Sequence, residues 1–165
     1  MKTSTLLLAA MFVGLLATPI VALDTVWFDA NWQETTKDKA EYYRPAPKKI
    51  KDGFWIVDYF ENGQVQMEGF SAVNTPGEEK FDGLVVYYHQ NGKPSHKATY
   101  KDGQLHGSRK VFYETGELKE EGKYKNGKRE GMWKIFLKNG KIKEKGKYKN
   151  NEKVGVWKTF HKNAY

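Results

Sequence analysis

From Gly53 onward, apolar and polar residues alternate along short segments, as in MWKIFLK and KIKEKGKYK. A period of two is the mark of strands with one buried face. Turn signals cut the segments at Asn62-Gly63, Asn91-Gly92, Asn126-Gly127 and Asn139-Gly140. Thr115-Gly116, Asp102-Gly103 and Asn150-Asn151 fill equivalent slots. Asn-Gly predicts a two-residue type I′ hairpin, because both central residues of that turn need positive φ. Gly83, Gly107, Gly131 and Gly155 lie 24 residues apart and open the units GLVVYYHQNGK, GSRKVFYETGE, GMWKIFLKNGK and GVWKTFHKNAY. A fixed period of this length predicts stacked supersecondary units. With two turns per repeat, each unit is one hairpin. The expected fold is all-β: an elongated antiparallel β-meander of about five 24-residue hairpin repeats in a single-layer twisted sheet.

Folding one hairpin about Asn139-Gly140 pairs Leu137 with Ile142, Phe136 with Lys143, Ile135 with Glu144 and Trp133 with Gly146. One face then holds Trp133, Ile135, Leu137, Ile142 and Tyr148, with Trp133 covering Gly146. In earlier repeats Arg109 covers Gly122 and Val85 covers Ala98. Tyr100, Tyr124 and Tyr148 recur at one slot and predict a ladder along the array. The other face holds Met132, Phe136 and lysines 141, 143, 145, 147 and 149. Tyr88, Phe112, Phe136 and Phe160 recur there with the same period, the first three opposite Ser95, Lys119 and Lys143. Aromatic rings flanked by cations suit stacking on a planar or anionic ligand. The candidate binding residues are therefore Phe112, Phe136, Phe160, Lys119, Lys141, Lys143, Lys145, Lys147 and Lys149. A second reading stays open: lysine stems cover the rings, and the charges protect the sheet from edge-to-edge growth.

The ends differ from the middle. Residues 53–165 form the repeat domain, but Gly53 and Gly83 are 30 apart, so SAVNTPGEEKFD reads as a protruding loop. Residues 23–52 read as an N-terminal cap, with VWFD and AEYYR as strands and Pro45-Ala46-Pro47 ending the second. Trp27, Trp32, Tyr42 and Tyr43 would close the core against water. At the far end GVWKTFHKN is one strand with a free outer edge. That edge could recruit a partner strand or a second copy, while Lys158, His161 and Lys162 discourage indiscriminate pairing.

Charge divides the chain. Residues 23–106 carry ten Lys/Arg against thirteen Asp/Glu, and residues 107–165 carry seventeen against seven. The basic part suits an anionic lipid surface, an acidic polymer or an acidic protein. Lys2, the apolar run Leu6–Leu16 and Pro19-Ile20-Val21-Ala22 have the order of a cleavable signal peptide, cut after Ala22. The expected location is periplasmic or secreted, which argues against nucleic acid as a partner. There is no cysteine to form a disulfide or carry a lipid.

No catalytic constellation emerges. His89, His96, His106 and His161 are not spaced as metal ligands. His89 and His161 share the slot of Tyr113 and Leu137, and His96 shares that of Glu120 and Glu144. Repeat-spaced Glu120 and Glu144 predict a structural slot partnered by a cation, since catalytic carboxylates are placed singly. No phosphate loop, dinucleotide fingerprint or nucleophile elbow is present. The expectation is a protein that is no enzyme and has no metal and no cofactor.

The unit Tyr124-Lys125-Asn126-Gly127-Lys128-Arg129-Glu130-Gly131-Met132-Trp133 resembles the bacterial variant of the MORN repeat, over about residues 53–165. Proteins of such repeats are grouped as YwqK-family antitoxin-like. The resemblance implies a protein that binds another protein. An exported chain fits an immunity-like or envelope-scaffold role. Eukaryotic MORN repeats imply a second possibility, contact with anionic lipid.

Overall fold

The computed structural model describes residues 25–160, and the fold is all-β. The signal segment 1–22, the cut after Ala22, and His161 and Lys162 lie outside these residues. Twelve strands form one antiparallel sheet: β1 (Val26–Phe28), β2 (Tyr42–Arg44), β3 (Lys48–Ile50), β4 (Gly53–Phe60), β5 (Val65–Ser71), β6 (Gly83–Tyr88), β7 (Pro94–Lys101), β8 (Gln104–Phe112), β9 (Leu118–Lys125), β10 (Lys128–Phe136), β11 (Ile142–Lys149) and β12 (Glu152–Thr159). The order is β1-β2-β4 and then sequential to β12, with β3 pairing β4 beside that path. The predicted meander is the observed one. β3 is an addition: Lys48–Ile50 pairs with the start of β4 after the prolines have ended β2.

The turns fall into two kinds, which corrects the single type expected. Asp102-Gly103, Asn126-Gly127 and Asn150-Asn151 have positive φ at both residues, as a type I′ turn requires. At Asn139-Gly140 only the glycine does, φ 78°. Leu137 N–H donates to Lys141 O at 2.8 Å and Gly140 N–H to Leu137 O at 2.9 Å. This is the three-residue loop in which a left-handed glycine follows a type I turn. Asn139 Oδ1 accepts from Lys141 N–H at 3.1 Å, holding the asparagine out of the left-handed region. The loops at Gly63, Gly92 and Gly116 repeat the pattern.

The longer loop shifts the register by one, and a bulge restores it. Phe136 pairs with Ile142 while Ile135 pairs with Glu144, so Lys143 is the extra residue. Gln66, Ser95 and Lys119 are the extra residues of the other hairpins. The expected pairing of Phe136 with Lys143 and Phe112 with Lys119 is therefore wrong. Their partners are Ile142 and Leu118, and Tyr88 pairs with Pro94. Ile142 accordingly leaves the Trp133 face and joins Phe136.

Trp133 and Gly146 are cross-strand partners as predicted, but the indole leans the other way. A Cβ placed on Gly122 would fall inside the Trp133 ring, and one on Gly146 inside that of Trp157. Each indole covers the bare glycine of the preceding strand. The reason is the second bulge: Gly131, at φ 72°, swings β10 so that three residues span one position of β9.

We call the Trp133 side the front face. Its core is Ile56, Met67 and Val85, packed by Phe54, Phe81, Tyr87 and Tyr100. The 71–82 insertion folds onto it: Ser71 bridges Phe81, and Gly103 N–H donates to Phe81 O at 2.9 Å. In residues 25–52 and β4 aromatic rings stack, Trp32 on Tyr42 at 4.5 Å and Tyr43 on Tyr59 at 5.1 Å between ring centroids. Towards β12 the tyrosine ladder interleaves with tryptophan: Tyr124, Trp133, Tyr148 and Trp157 meet edge to face at 5.0–5.7 Å.

Candidate functional site

The opposite, back face is built by strand alternation alone. Val85, Trp133 and Trp157 point to the front, so Leu84, Met132 and Val156 point to the back. These three are 54%, 46% and 81% exposed. They sit at one repeat slot, whose other member is Ser108. Met132 has Lys147 as its cross-strand partner, and Ser108 has Lys123.

One position along, a row of cations crosses the sheet. Consecutive cross-strand partners run Lys97, Lys110, Glu121, Lys134, Lys145 and Lys158. Neighbouring strands are about 4.8 Å apart, so these charges are close. Glu121 interrupts the row and holds Lys134 Nζ at 3.0 Å.

The predicted site residues divide accordingly. Lys145, Lys147 and Lys149 stand on the back face. Lys141 belongs to the turn and Lys143 is the bulged residue. Lys119, bulged in the same way, does not flank Phe112: its ammonium lies 5.5 Å over the Tyr113 ring. Phe112 and Phe136 are half-buried against Leu118 and Ile142. Among the described residues of this aromatic row, Phe160 has a cation over its ring, with Lys145 Nζ 5.4 Å above it, a pairing the sequence reading did not name. The structure thus runs the cations across strands, where the sequence reading ran them along β11. The signal was present: Lys110, Lys134 and Lys158 are 24 apart.

The repeat-spaced acids are held by cations. Glu120 receives Arg109 at 3.1 Å and Arg129 at 3.9 Å, and Glu144 receives Lys153 at 2.8 Å. Arg129 also lies 4.5 Å over Trp133 and 5.2 Å over Tyr148, and donates to the Tyr148 hydroxyl at 3.1 Å. His89 Nε2 is 3.3 Å from Phe112 O, just as Tyr113 donates to Phe136 O at 2.8 Å one repeat later. His96 stacks on Tyr87 at 4.0 Å. Among the described residues, no three His, Asp or Glu side chains gather around one point that could hold a metal.

Three tandem segments, residues 81–102, 105–126 and 129–150, match the family described as the MORN repeat variant. These three segments cover 66 of the 165 residues and are similar to that repeat. Each matched segment contains one hairpin, β6-β7, β8-β9 or β10-β11, and ends on the first residue of a type I′ turn. The matched segments begin at Phe81, so β4, β5 and β12 extend the sheet beyond them. No curated protein matches the chain.

Sequence reasoning missed one group that lies before the array. Arg44 on β2 donates from Nε to Asp58 Oδ1 at 2.5 Å and from Nη2 to Oδ2 at 2.8 Å. Its Nη1 donates to Glu79 of the insertion at 2.5 Å. Arg44 and Asp58 are buried. The one available signal was Asp58 itself, a carboxylate in the front-face slot that holds Tyr87, Val111 and Ile135 in the later hairpins.

Proposed function

We propose that this chain is an exported, non-catalytic binding protein that holds an acidic protein partner on the back face of its repeats, in an immunity-like or envelope-scaffold role of the YwqK-family antitoxin-like kind. The observation that carries this reading is the exposed row Leu84, Met132 and Val156 framed by lysines. Large apolar side chains placed repeatedly on a solvent-facing side are what a protein interface needs, and cationic flanks select an acidic surface. The unmatched outer edge of β12 among the described residues offers a second contact, by strand addition or by self-association of two copies. The test is capture from envelope extract, comparing the wild type with Met132→Asp/Val156→Asp. Both substitutions lie on exposed positions, so the fold should persist. A protein retained by the wild type at moderate salt and lost by the variant supports the reading; identical captures refute it.

The lysine row favours one alternative, a peripheral binder of anionic membrane or acidic polymer. That reading expects affinity to fall steeply with salt, because screening weakens surface charge contacts. Reversal of Lys110, Lys145 and Lys158 to Glu should then abolish binding to vesicles rich in anionic lipid. Unchanged vesicle affinity would exclude it.

A further inference from the structure

On the front face, far along the sheet from the MORN-variant lysines, the cap and the insertion leave a cleft of about 740 Å³. That volume lies within the range of small-molecule sites, about 300–1,000 Å³. Its base is the trio of buried Arg44 and Asp58 with half-buried Glu79. The guanidinium spends Nε and both terminal nitrogens on two carboxylates, so the trio carries one uncompensated negative charge. Glu34 adds another at the mouth, and no cation besides Arg44 lines the space. The walls are apolar and largely aromatic, with Phe28, Trp32, Phe81 and Tyr87.

A second observation comes from the repeat itself. The bulged residue of the β4-β5 hairpin is Gln66, at the slot of Ser95, Lys119 and Lys143. A bulge re-aims the side chain it carries. Here it turns Gln66 into the cleft, where Oε1 is buried and accepts no hydrogen bond. A buried acceptor without a donor is costly, at about 1–3 kcal/mol. Excess negative charge, aromatic walls and an unfilled acceptor all ask for the same thing.

We propose that this cleft is a binding site for an organic cation, a primary ammonium or guanidinium head on an apolar body. The head pairs with Glu79, a small rotation of Gln66 brings Oε1 to it as a second acceptor, and the body rests on Trp32 and Phe28. Aromatic faces attract such cations, and more strongly once water is excluded. The same chemistry occurs in a free amine and in a lysine side chain of a peptide, and the probes below separate the two.

The experiment is calorimetric and NMR titration of the full chain with tyramine, with its neutral alcohol analogue, and with N-acetyl-lysine amide. Tyramine or the lysine derivative should bind and shift the Trp32 indole and Gln66 side-chain amide signals; the alcohol should not. The tighter of the two amines identifies a free or a peptide-borne ligand. Glu79→Gln should weaken the amine by roughly tenfold or more, the size of one charged hydrogen bond. Glu34→Gln, at an exposed position, gives a smaller loss with the fold intact. Equal binding of amine and alcohol, or no shift at millimolar amine in the folded chain, overturns the proposal.

Discussion

Val85, Arg109, Trp133 and Trp157 fill one repeat slot, yet the slot is solved differently in the two halves of the molecule. In the first half Val85 is fully buried because a second layer lies over it: Phe81 of the insertion and Phe54 close the space. Its Cγ2 sits 2.9 Å from where a Cβ on Gly69 would be, so the aliphatic side chain and the glycine interlock. In the second half no insertion arrives. Trp133 is still only 1% exposed, because it is covered by its own sheet: Tyr124 and Tyr148 edge on, and Arg129 above. A single layer can bury a side chain only if that side chain is broad and its neighbours carry a cap of their own. Arg129 provides that cap through its flat guanidinium, which a lysine would not match. Trp157, on the edge strand, has Tyr148 on one side only and Lys153 3.9 Å above it, and its ring stays partly open.

The sharpest way to break this contrast is to remove the indole. Trp133→Ala should cost about 3–5 kcal/mol, the usual range for a buried aromatic. In a repeat array the damage is local, since units contact only their neighbours. Hydrogen exchange should therefore accelerate over β9–β12 while β4–β6 stays protected. Val85→Ala should cost less, about 2 kcal/mol, from two lost methyl groups and a small cavity. Its effect should fall on β4–β7. Uniform loss of protection in both variants would show one cooperative core and dissolve the distinction between the halves.

Ion pairs separate the halves next. Asp58 is 1% exposed, and burial pushes its pKa up against the opposing pull of Arg44. Asp58→Ala leaves a buried guanidinium with half its partners gone, and should cost about 3 kcal/mol in urea unfolding. Glu120→Ala, its counterpart on the half-exposed Arg109 and Arg129, should cost under about 1 kcal/mol. Comparable losses would mean that the trio is solvated and that the cleft above it is less closed than its geometry implies.

How much of this was legible follows the same division. The 24-residue period gave the meander, the front-face slots and the cation partners of Glu120 and Glu144, because each of those features repeats. What failed recurs with the same period but is not carried by the turn dipeptide. Asn139-Gly140 reads as the same dipeptide as Asn126-Gly127, yet the two adopt different turns. The turn type follows the repeat slot and comes with the bulge at Lys143, not with the dipeptide. That one-residue difference moved Lys119, Lys143 and Ile142 away from their expected neighbours. The cleft was illegible for another reason: Arg44, Asp58 and Glu79 come from three segments that share no repeat, and only the folded cap brings them together.

The smallest test uses the slot in which His96 stands for Glu120 and Glu144. Burial chiefly, then the positive charge of Arg109 and the proximity of His89, lowers the His96 pKa from 6.5 to about 4. The folded state therefore refuses a proton that the unfolded chain accepts. Between pH 6.5 and 4 the unfolded state binds more protons, so stability must fall as pH falls through that window and level off below it. The ring is partly exposed and stacked on Tyr87, so solvent screening reduces the loss to about 1 kcal/mol. Urea midpoints at pH 7 and pH 4.5 should differ in the wild type, and His96→Gln should remove that part of the difference. The region matters as much as the size: hydrogen exchange at pH 4.5 should rise first in β6–β8, where His96 packs. A rise confined to β10–β12 would mean that the front-face stack of the second half, with its carboxylates, is the acid-sensitive part instead.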